Sequence, residues 1–100
     1  MEVKFKQWTG KLVKQKYSNG RTALQIISTD EYAEPIATCT VNIPEFPLLD
    51  NEVIIKDYSE NVGMYYALID ANVIEPTKKQ VVSGFVVCPV GILTKEVLEL

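Results

Sequence analysis

The segment KDYSENVGMYYALIDANVIEP, residues 56–76, decides the fold class, because it carries the start signal of a helix. Asp57 is a preferred N-cap residue, and Glu60 follows three positions later, at the spacing of a capping box. Ser59 is the alternative N-cap. Both carboxylates would then bind free backbone amides at the positive end of the helix dipole. A pair of catalytic carboxylates is the weaker interpretation, since no base, nucleophile or metal ligand accompanies them.

Apolar residues recur after this start signal at the spacing of one helix face. They are Val62, Tyr65, Tyr66 and Ile69, with Leu68 flanking them. Gly63 lowers helix stability by about 1 kcal/mol relative to alanine. Asn72 can end the helix in the left-handed conformation, and Glu75–Pro76 prevents its continuation. The pattern therefore predicts one main helix over about 58–71, with its apolar face packed on a sheet.

Residues 11–28, KLVKQKYSNGRTALQIIS, are typical of a β-hairpin. Asn19–Gly20 is the turn signal, because both central residues of a type I′ turn need a positive φ. A two-residue loop at these positions sets the register of the two strands. It pairs Ser18 with Arg21, Tyr17 with Thr22, Gln15 with Leu24 and Val13 with Ile26. Apolar residues then meet apolar residues near the strand ends, which favours this register.

The remaining chain predicts further strands with polar or proline-rich connections. The predicted strands are 3–8, 36–43, 52–57 and 81–90, the connections are 29–35, 44–51 and 77–80, and Thr94 caps a last helical turn at 94–100. Gly84 is expected to form a bulge or bend inside the last strand. Phe46 and Leu48 are expected to anchor the proline-rich loop. The predicted fold class is α+β: one domain, 1–100, with an antiparallel meander sheet of about five strands and the main helix on one face.

The composition is that of an ordinary globular chain, with 47% hydrophobic and 23% charged residues. A chain of this length buries roughly two-thirds of its unfolded surface, so it needs no disulfide or metal to fold. Cys39 and Cys88 lie in apolar, β-branched runs and are expected to be buried free thiols; a disulfide between them is the minor alternative. The longest apolar run, residues 85–93, is about half the length that crosses a bilayer. No signal peptide is evident, and we expect a soluble, cytoplasmic protein without membrane association.

Charge is distributed unevenly along the chain, whose net charge is −3. Residues 1–21 carry six cations against one acid, whereas residues 22–100 carry four cations against twelve acids. A basic hairpin could bind nucleic acid through phosphate contacts and a stacking ring. The residues that would do so are Trp8, Lys14, Lys16, Tyr17 and Arg21. One solvated sheet face balanced by acidic loops explains the same distribution, and it is favoured because a phosphate-dependent binder is usually basic overall.

No pattern of residues predicts catalysis. The chain has no histidine, which removes the commonest general base and the commonest metal ligand. The five glycines are scattered, so no phosphate-binding loop is predicted. Asp50, Glu52 and Asp57 could form a metal site made only of carboxylates, but acids beside turns are usually solvated or capping. We therefore expect no catalytic residues, no metal and no cofactor.

Three segments resemble a family of small proteins of unknown function that are carried by phages, plasmids and conjugative elements of Gram-positive and gut bacteria. The segments are PIATCTVNIPEFPL at 35–48, EVIIKDYSENVGMYYALIDANVIEPT at 52–77, and GFVVCPV at 84–90. They cover more than half of the chain, and the N-terminal strand matches less well. The resemblance implies an accessory protein of mobile DNA that acts in a bacterial cytoplasm. It brings no catalytic residues.

The leading functional prediction is a non-enzymatic protein that binds and modulates a host or element-encoded protein, as a monomer or weak homodimer. Tyrosine and phenylalanine are enriched at interface centres, although each is more often simply packed in a core. The candidate anchors are Tyr32, Phe46, Tyr58 and Glu60. Nucleic-acid binding by the basic hairpin is the alternative. An enzyme is the third hypothesis, and it would need a concave pocket with convergent polar groups.

Overall fold

The strands form two antiparallel sheets in the computed structural model, which describes residues 1–100. In the first sheet the strands are β1 (Glu2–Phe5), β2 (Trp8–Lys16), β3 (Thr22–Ile27) and β4 (Pro35–Thr38), in that spatial order. In the second they are β5 (Glu52–Ile54), β6 (Ile74–Ser83) and β7 (Val86–Leu93), with β7 in the centre. The predicted α+β class is confirmed. The seven strands are divided between two sheets, where about five in one meander were expected.

The segment after β4 connects the two sheets. The Cys39 amide donates to the Leu24 carbonyl in β3 (2.9 Å), and the Lys56 amide donates to the Cys39 carbonyl (2.9 Å). Thr40 and Ile55 then form an isolated antiparallel bridge. The strand predicted at 36–43 therefore ends early, because its second half leaves β3 to pair with the other sheet.

The strand predicted at 3–8 is wrong, because the chain reverses inside it. Lys6 and Gln7 form a two-residue turn, Phe5 pairs with Trp8, and Lys6 has a φ of 56°. Gly10 lies inside β2. A Cβ there would collide with the Ile27 carbonyl and neighbouring side chains, so glycine permits close strand packing.

The hairpin between β2 and β3 is confirmed, but its predicted register is wrong by one residue. The loop has three residues, Ser18–Gly20, and a hydrogen bond from the Tyr17 amide to the Arg21 carbonyl closes it (2.8 Å). Gly20 alone in this loop has a positive φ (86°), as in a type I turn followed by a bulge. The register therefore pairs Lys16 with Thr22, Lys14 with Leu24 and Leu12 with Ile26.

The main helix, α1, is shorter than predicted and buries a different face. It spans Met64–Asp70 and follows a 3₁₀ turn at Ser59–Asn61, so the helical region runs over 59–70 with an interruption at Gly63 (φ 98°). Met64 and Leu68 are fully buried, one helical turn apart. Val62 and Tyr66, which were predicted to face the core, are 62% and 70% exposed. The left-handed Gly63 interrupts the continuous helix that the spacing assumed, so α1 turns a different face to the core.

The end of α1 is as predicted. Asn72 adopts the left-handed conformation with a φ of 59°. The Val73 amide donates to the Leu68 carbonyl (2.9 Å), and the Asn72 amide donates to the Ile69 carbonyl (3.0 Å). This pair of bonds is a Schellman motif, and the buried side chains of Val73 and Leu68 supply the hydrophobic contact that accompanies it.

The C-terminal strand prediction at 81–90 is wrong, because it contains a hairpin turn. Ser83 pairs with Val86 around a two-residue loop, and Gly84 has a φ of 59° at the first loop position. The connection predicted at 77–80 is a bulge inside β6, where the register shifts between Pro76 and Gln80. The last helical turn, α2, spans Lys95–Leu98 with Thr94 at its N-cap position, as predicted. The Thr94 side chain does not cap it, because its hydroxyl donates to the Asn72 carbonyl (2.7 Å).

Two core clusters lie on opposite faces of β5. Val53 and Ile55 belong to the first core cluster, with residues such as Phe5, Leu24 and Leu68. Ile54 belongs to the second core cluster, which consists of Ile54, Val81, Cys88 and Val90. Cys39 and Cys88 are buried free thiols, in the first and second clusters respectively. None of the helices has the length and apolar character needed to cross a membrane.

Candidate functional site

The hairpin of β6 and β7 carries the most exposed apolar side chains of the second sheet. Phe85 at its turn is 108% exposed relative to an extended reference, Val82 is 72% exposed and Val87 is 50% exposed. Val82 and Val87 are cross-strand partners, so their side chains lie on the same face. We call Val82, Phe85 and Val87 the apolar strip.

The apolar strip is uncovered because α1 reaches only the near end of the sheet face. Tyr66, 70% exposed on α1, lines a shallow cleft of about 340 Å³ together with Val87 and Pro89. The alternate residues Val81 and Cys88 point to the opposite face and are buried in the second core cluster. One face of this hairpin is therefore core, and the distal part of the other face is bare apolar surface.

Side-chain hydrogen bonds fix the base of this hairpin at the β6 bulge. The Thr77 amide donates to the Tyr65 hydroxyl (3.0 Å), and the Thr77 hydroxyl donates to the Val90 carbonyl (2.6 Å). The Lys79 amide donates to the Thr77 hydroxyl (3.1 Å). The bulge is thus a defined structure that links α1 to both strands.

An ion pair holds the same bulge to β5. Glu52 is only 6% exposed, and its carboxylate accepts from the Lys79 ammonium (2.8 and 2.9 Å) and from the Leu49 amide (2.8 Å). The hydrogen bond from Lys79 lowers the pKa of Glu52 below its ordinary value, against the effect of burial. With these partners the buried Glu52 carboxylate is charged, and its oxygens are used to hold the structure together.

A polar groove of about 630 Å³ lies between the β2–β3 hairpin, the 48–52 segment and α2. We call it the basic groove, because three of its lining side chains are cations that charge patterning had singled out. They are Lys14, Lys16 and Arg21. Asp50 and Glu52 also line it, and Glu52 is neutralised by Lys79. The groove therefore has an excess of positive charge in a chain of net charge −3.

Two of these three cations also hold the fold together. The Lys14 ammonium donates to the Val97 and Leu98 carbonyls at the end of α2 (3.0 and 3.3 Å), where a cation favours the helix dipole. The Arg21 guanidinium donates to three carbonyls of the loop before β5. These belong to Ile43, Pro44 and Phe46. Lys16 is exposed.

The structure separates the two predicted stacking rings from the basic groove. Trp8 is 53% exposed at the start of β2 and does not line the groove. The Tyr17 hydroxyl lies 2.8 Å from the buried Thr40 hydroxyl and is hydrogen-bonded to it. The five residues predicted to bind nucleic acid are therefore not brought together. The three cations line the basic groove, Tyr17 is hydrogen-bonded to the buried Thr40, and Trp8 lies elsewhere on the surface.

The predicted protein-binding anchors are also divided. Phe46 and Tyr58 pack against the second core cluster. Glu60 is exposed and accepts from the Lys56 ammonium (2.8 Å), which also lies 5.7 Å from the centre of the Tyr58 ring. Tyr32, 73% exposed, lies in the loop between β3 and β4. Among these four residues, only Tyr32 and Glu60 are surface side chains.

The prediction that Asp57 is the N-cap residue is wrong, because Gly63 occupies that position, but its carboxylate does bind free amides at the start of α1. Its carboxylate accepts from the Gly63 amide (2.8 Å) and the Tyr65 amide (3.1 Å), at the N-cap and second residue of α1. The predicted capping-box role of Glu60 is wrong, because Glu60 lies in the 3₁₀ turn before α1. The hydrogen bond from Lys56 instead lowers the pKa of Glu60.

The remaining candidates for chemistry are a carboxylate metal site and the two cysteines. No three His, Cys, Asp or Glu side chains are grouped so as to hold a metal ion. Burial raises the pKa of Cys39 to about 12 and also raises the pKa of Cys88. Both thiols are therefore protonated near neutral pH and are poor nucleophiles.

Sequence reasoning missed the apolar strip because it placed residues 81–90 in a single strand. A signal was present, since Ser83–Gly84 is a turn dipeptide between two runs of paired valines. A hairpin there puts Phe85 in the loop, where neither face of a sheet can cover it.

A scan against protein-family models found no match to this chain, and searches of curated proteins and of solved structures found no similar protein.

Proposed function

We propose that this protein is a non-enzymatic accessory protein of a phage or mobile element, and that it binds and modulates another protein in the bacterial cytoplasm. The apolar strip is the observation that carries the proposal. Val82, Phe85 and Val87 are 50% exposed or more on one hairpin. Exposed apolar side chains grouped on one hairpin are typical of protein interaction sites.

The geometry of the strip suits a protein partner. Phe85 projects from a turn whose base is fixed by the Thr77 bonds and by the Glu52–Lys79 pair. An exposed aromatic side chain offers a partner a large apolar contact area, and aromatic side chains are common at the centres of interfaces. The cleft beside Tyr66 offers a partner side chain a place next to the strip.

The setting in mobile DNA rests on the resemblance of the segments at 35–48, 52–77 and 84–90. Phe85 and Val87 lie in the third of these segments. Under this proposal the hairpin contacts the partner, while α1 and Asp57, whose carboxylate binds amides at the start of α1, keep the hairpin in place.

Site-specific photo-crosslinking tests the docking surface. Phe85 is replaced by p-benzoylphenylalanine, and the protein is irradiated in cells of a bacterium that carries the gene. We expect one dominant adduct of defined mass, and we expect Val87→Lys in the same chain to abolish it. The matched control places the same photoreactive residue at Leu49, which is also exposed (68%) but lies in the basic groove.

The control separates docking from general stickiness. Adducts of equal yield at both positions, or none at Phe85 while the protein is folded, would remove the proposal. Urea denaturation of the Val87→Lys variant shows whether a lost adduct reflects unfolding.

Nucleic-acid binding is a second candidate function, favoured by the basic groove. Lys14, Lys16 and Arg21 line one groove, where a sugar–phosphate backbone would release counterions on binding. The proposed contact is to phosphate, since neither Trp8 nor Tyr17 lines the groove.

Fluorescence anisotropy with labelled single-stranded DNA and RNA at low salt tests this candidate. Lys16→Glu is the informative variant, because Lys16 is exposed and Lys14 and Arg21 are used by the fold. We expect weaker binding and a salt slope reduced by about one. Lys11→Glu is the control in the same strand but outside the groove. Equal effects of both variants, or no binding by the native chain, would end this candidate.

A further inference from the structure

The outer edge of β6 presents backbone N–H and C=O groups without partners. The position of Pro89 in β7 identifies which residues of β6 carry them. Pro89 in β7 has no N–H, and its carbonyl accepts from the Ile55 amide (2.9 Å), on the β5 side. The Pro89 backbone therefore makes no ladder bond with Gln80, its partner in β6. The N–H and C=O of Gln80 must point away from β7, toward the open side of the sheet.

The same alternation applies to the rest of the edge. The pairs are Gln80–Pro89, Val81–Cys88 and Val82–Val87. The backbone N–H and C=O of Val81 therefore point toward β7, and those of Val82 point away from it. β6 is the last strand of its sheet, with no neighbour on this side. Gln80 and Val82 thus expose two backbone donors and two acceptors to solvent.

The open edge is short and has defined ends. Before Gln80, the Lys79 amide is already bonded to the Thr77 hydroxyl inside the bulge. After Ser83, the chain turns at Gly84. Natural sheets usually protect such edges with charges, prolines or bulges, and here that protection lies only at the bulge end.

We infer that the open edge of β6 pairs with the same edge of a second copy of this chain, in antiparallel orientation about a two-fold axis at Val81. Between the bulge and the hairpin turn, only two residues on each copy direct their backbone groups outward, so one antiparallel register satisfies all of them. In that register Gln80 pairs with Val82 of the second copy, and Val82 pairs with its Gln80. Four backbone hydrogen bonds form, and the contact is the same on both copies.

The charges at the edge are compatible with this symmetry. Lys79 comes opposite Ser83 of the second copy, and Lys78 comes opposite its Gly84. Like charges directly opposite each other would be unfavourable, and no cation lies opposite a cation across the new ladder. A two-fold axis perpendicular to the sheet also places both apolar strips on the same face. The pairing uses the backbone of Val82 and not its side chain, and it does not depend on the proposed function.

The edge is small, which sets the strength of the dimer. Stable interfaces bury roughly 800 Å² on each partner, and a four-residue strand edge supplies only part of that area. We expect self-association with a Kd of about 0.1–1 mM.

Hydrogen–deuterium exchange of the native protein, as a function of its concentration, tests the pairing. Between about 10 µM and about 2 mM the exchange of the Gln80 and Val82 amides slows several-fold, as the dimer becomes the main species. The Val81 amide, bonded within the hairpin, stays equally protected at both concentrations. Sedimentation equilibrium over the same range gives the Kd.

A pair of variants isolates the backbone contact. Gln80→Pro removes one outward N–H while leaving the hairpin ladder intact, and it weakens dimerisation about tenfold. Gln80→Ala removes the same side chain but keeps the N–H, and it dimerises as the native chain does. The inference is overturned by a monomer at the highest concentration, by a dimer that Gln80→Pro does not weaken, or by edge protection that requires a different protein.

Discussion

The tips of two hairpins in this protein differ in what their side chains do. At the β2–β3 tip the side chains are polar and are bound to the rest of the fold. Tyr17 bonds to Thr40, Asn19 bonds to Asn42 (3.1 Å), and Arg21 bonds to carbonyls of the loop before β5. At the β6–β7 tip Phe85 is fully exposed.

The comparison shows that polarity alone is a poor guide to which surface is free to bind a partner. The basic hairpin looked like a functional surface from charge, yet most of its polar groups complete the hydrogen bonding of neighbouring segments. The apolar strip lies in a run that was predicted as one β-strand, yet the fold leaves its three side chains exposed. The side chains that the fold does not use are the ones available to another molecule.

Removing the Arg21 side chain should have the largest effect. Arg21→Ala deprives the Ile43, Pro44 and Phe46 carbonyls of a charged donor, and we expect a loss of about 2–3 kcal/mol in the free energy of unfolding. Urea denaturation followed by circular dichroism measures it. Lys16→Ala, one hairpin position away on the exposed side, should change stability by less than about 0.5 kcal/mol. Equal stability of both variants would show that the β2–β3 tip is not held by these bonds.

The Glu52–Lys79 pair fixes the base of the second hairpin, and Glu52→Gln should cost about 1–2 kcal/mol near neutral pH. The pKa of Glu52 is lower in the folded state than in the unfolded chain. Its contribution is therefore present above the unfolded pKa and is lost as pH falls through the folded pKa.

The stability difference between the native chain and Glu52→Gln should thus shrink as pH falls from about 5 to about 2. Chemical denaturation at several pH values measures this difference. A difference that stays constant over the range would mean that the charge of Glu52 contributes nothing, and Glu45→Gln on an exposed loop is the control.

Tyr17→Phe removes one hydroxyl from the β2–β3 tip and should lower stability by about 1 kcal/mol. Its partner, the Thr40 hydroxyl, is buried and also accepts from the Leu24 amide (3.2 Å). Tyr32→Phe removes the same group from an exposed ring and should have no measurable effect on thermal unfolding. If the two variants had the same melting temperature, the Tyr17–Thr40 hydrogen bond would contribute nothing to stability.

Local signals with a specific chemistry were predictable from the sequence. Asp57 binds amides at the start of α1, Asn72 ends it, Thr94 precedes α2, and both cysteines are buried. Each depends on a residue type whose backbone or burial preference is strong. These residues located the elements and the fold class.

Registers and faces were not predictable, because single residues decide them. A three-residue loop in place of a two-residue loop shifted the β2–β3 register by one, and the glycine at 63 rotated the buried face of α1 to Met64 and Leu68. A valine-rich run reads equally well as one strand or as two strands of a hairpin. The apolar strip depends on that distinction, and the Ser83–Gly84 dipeptide was the local signal for the hairpin.

The smallest expected effect tests the central claim most directly, namely that the apolar strip contributes nothing to folding. The double variant Phe85→Ser, Val87→Thr removes most of its apolar surface. The account predicts a free energy of unfolding, measured in urea, within about 0.5 kcal/mol of the native value. A loss above about 1.5 kcal/mol would contradict it, because these side chains would then be part of the core.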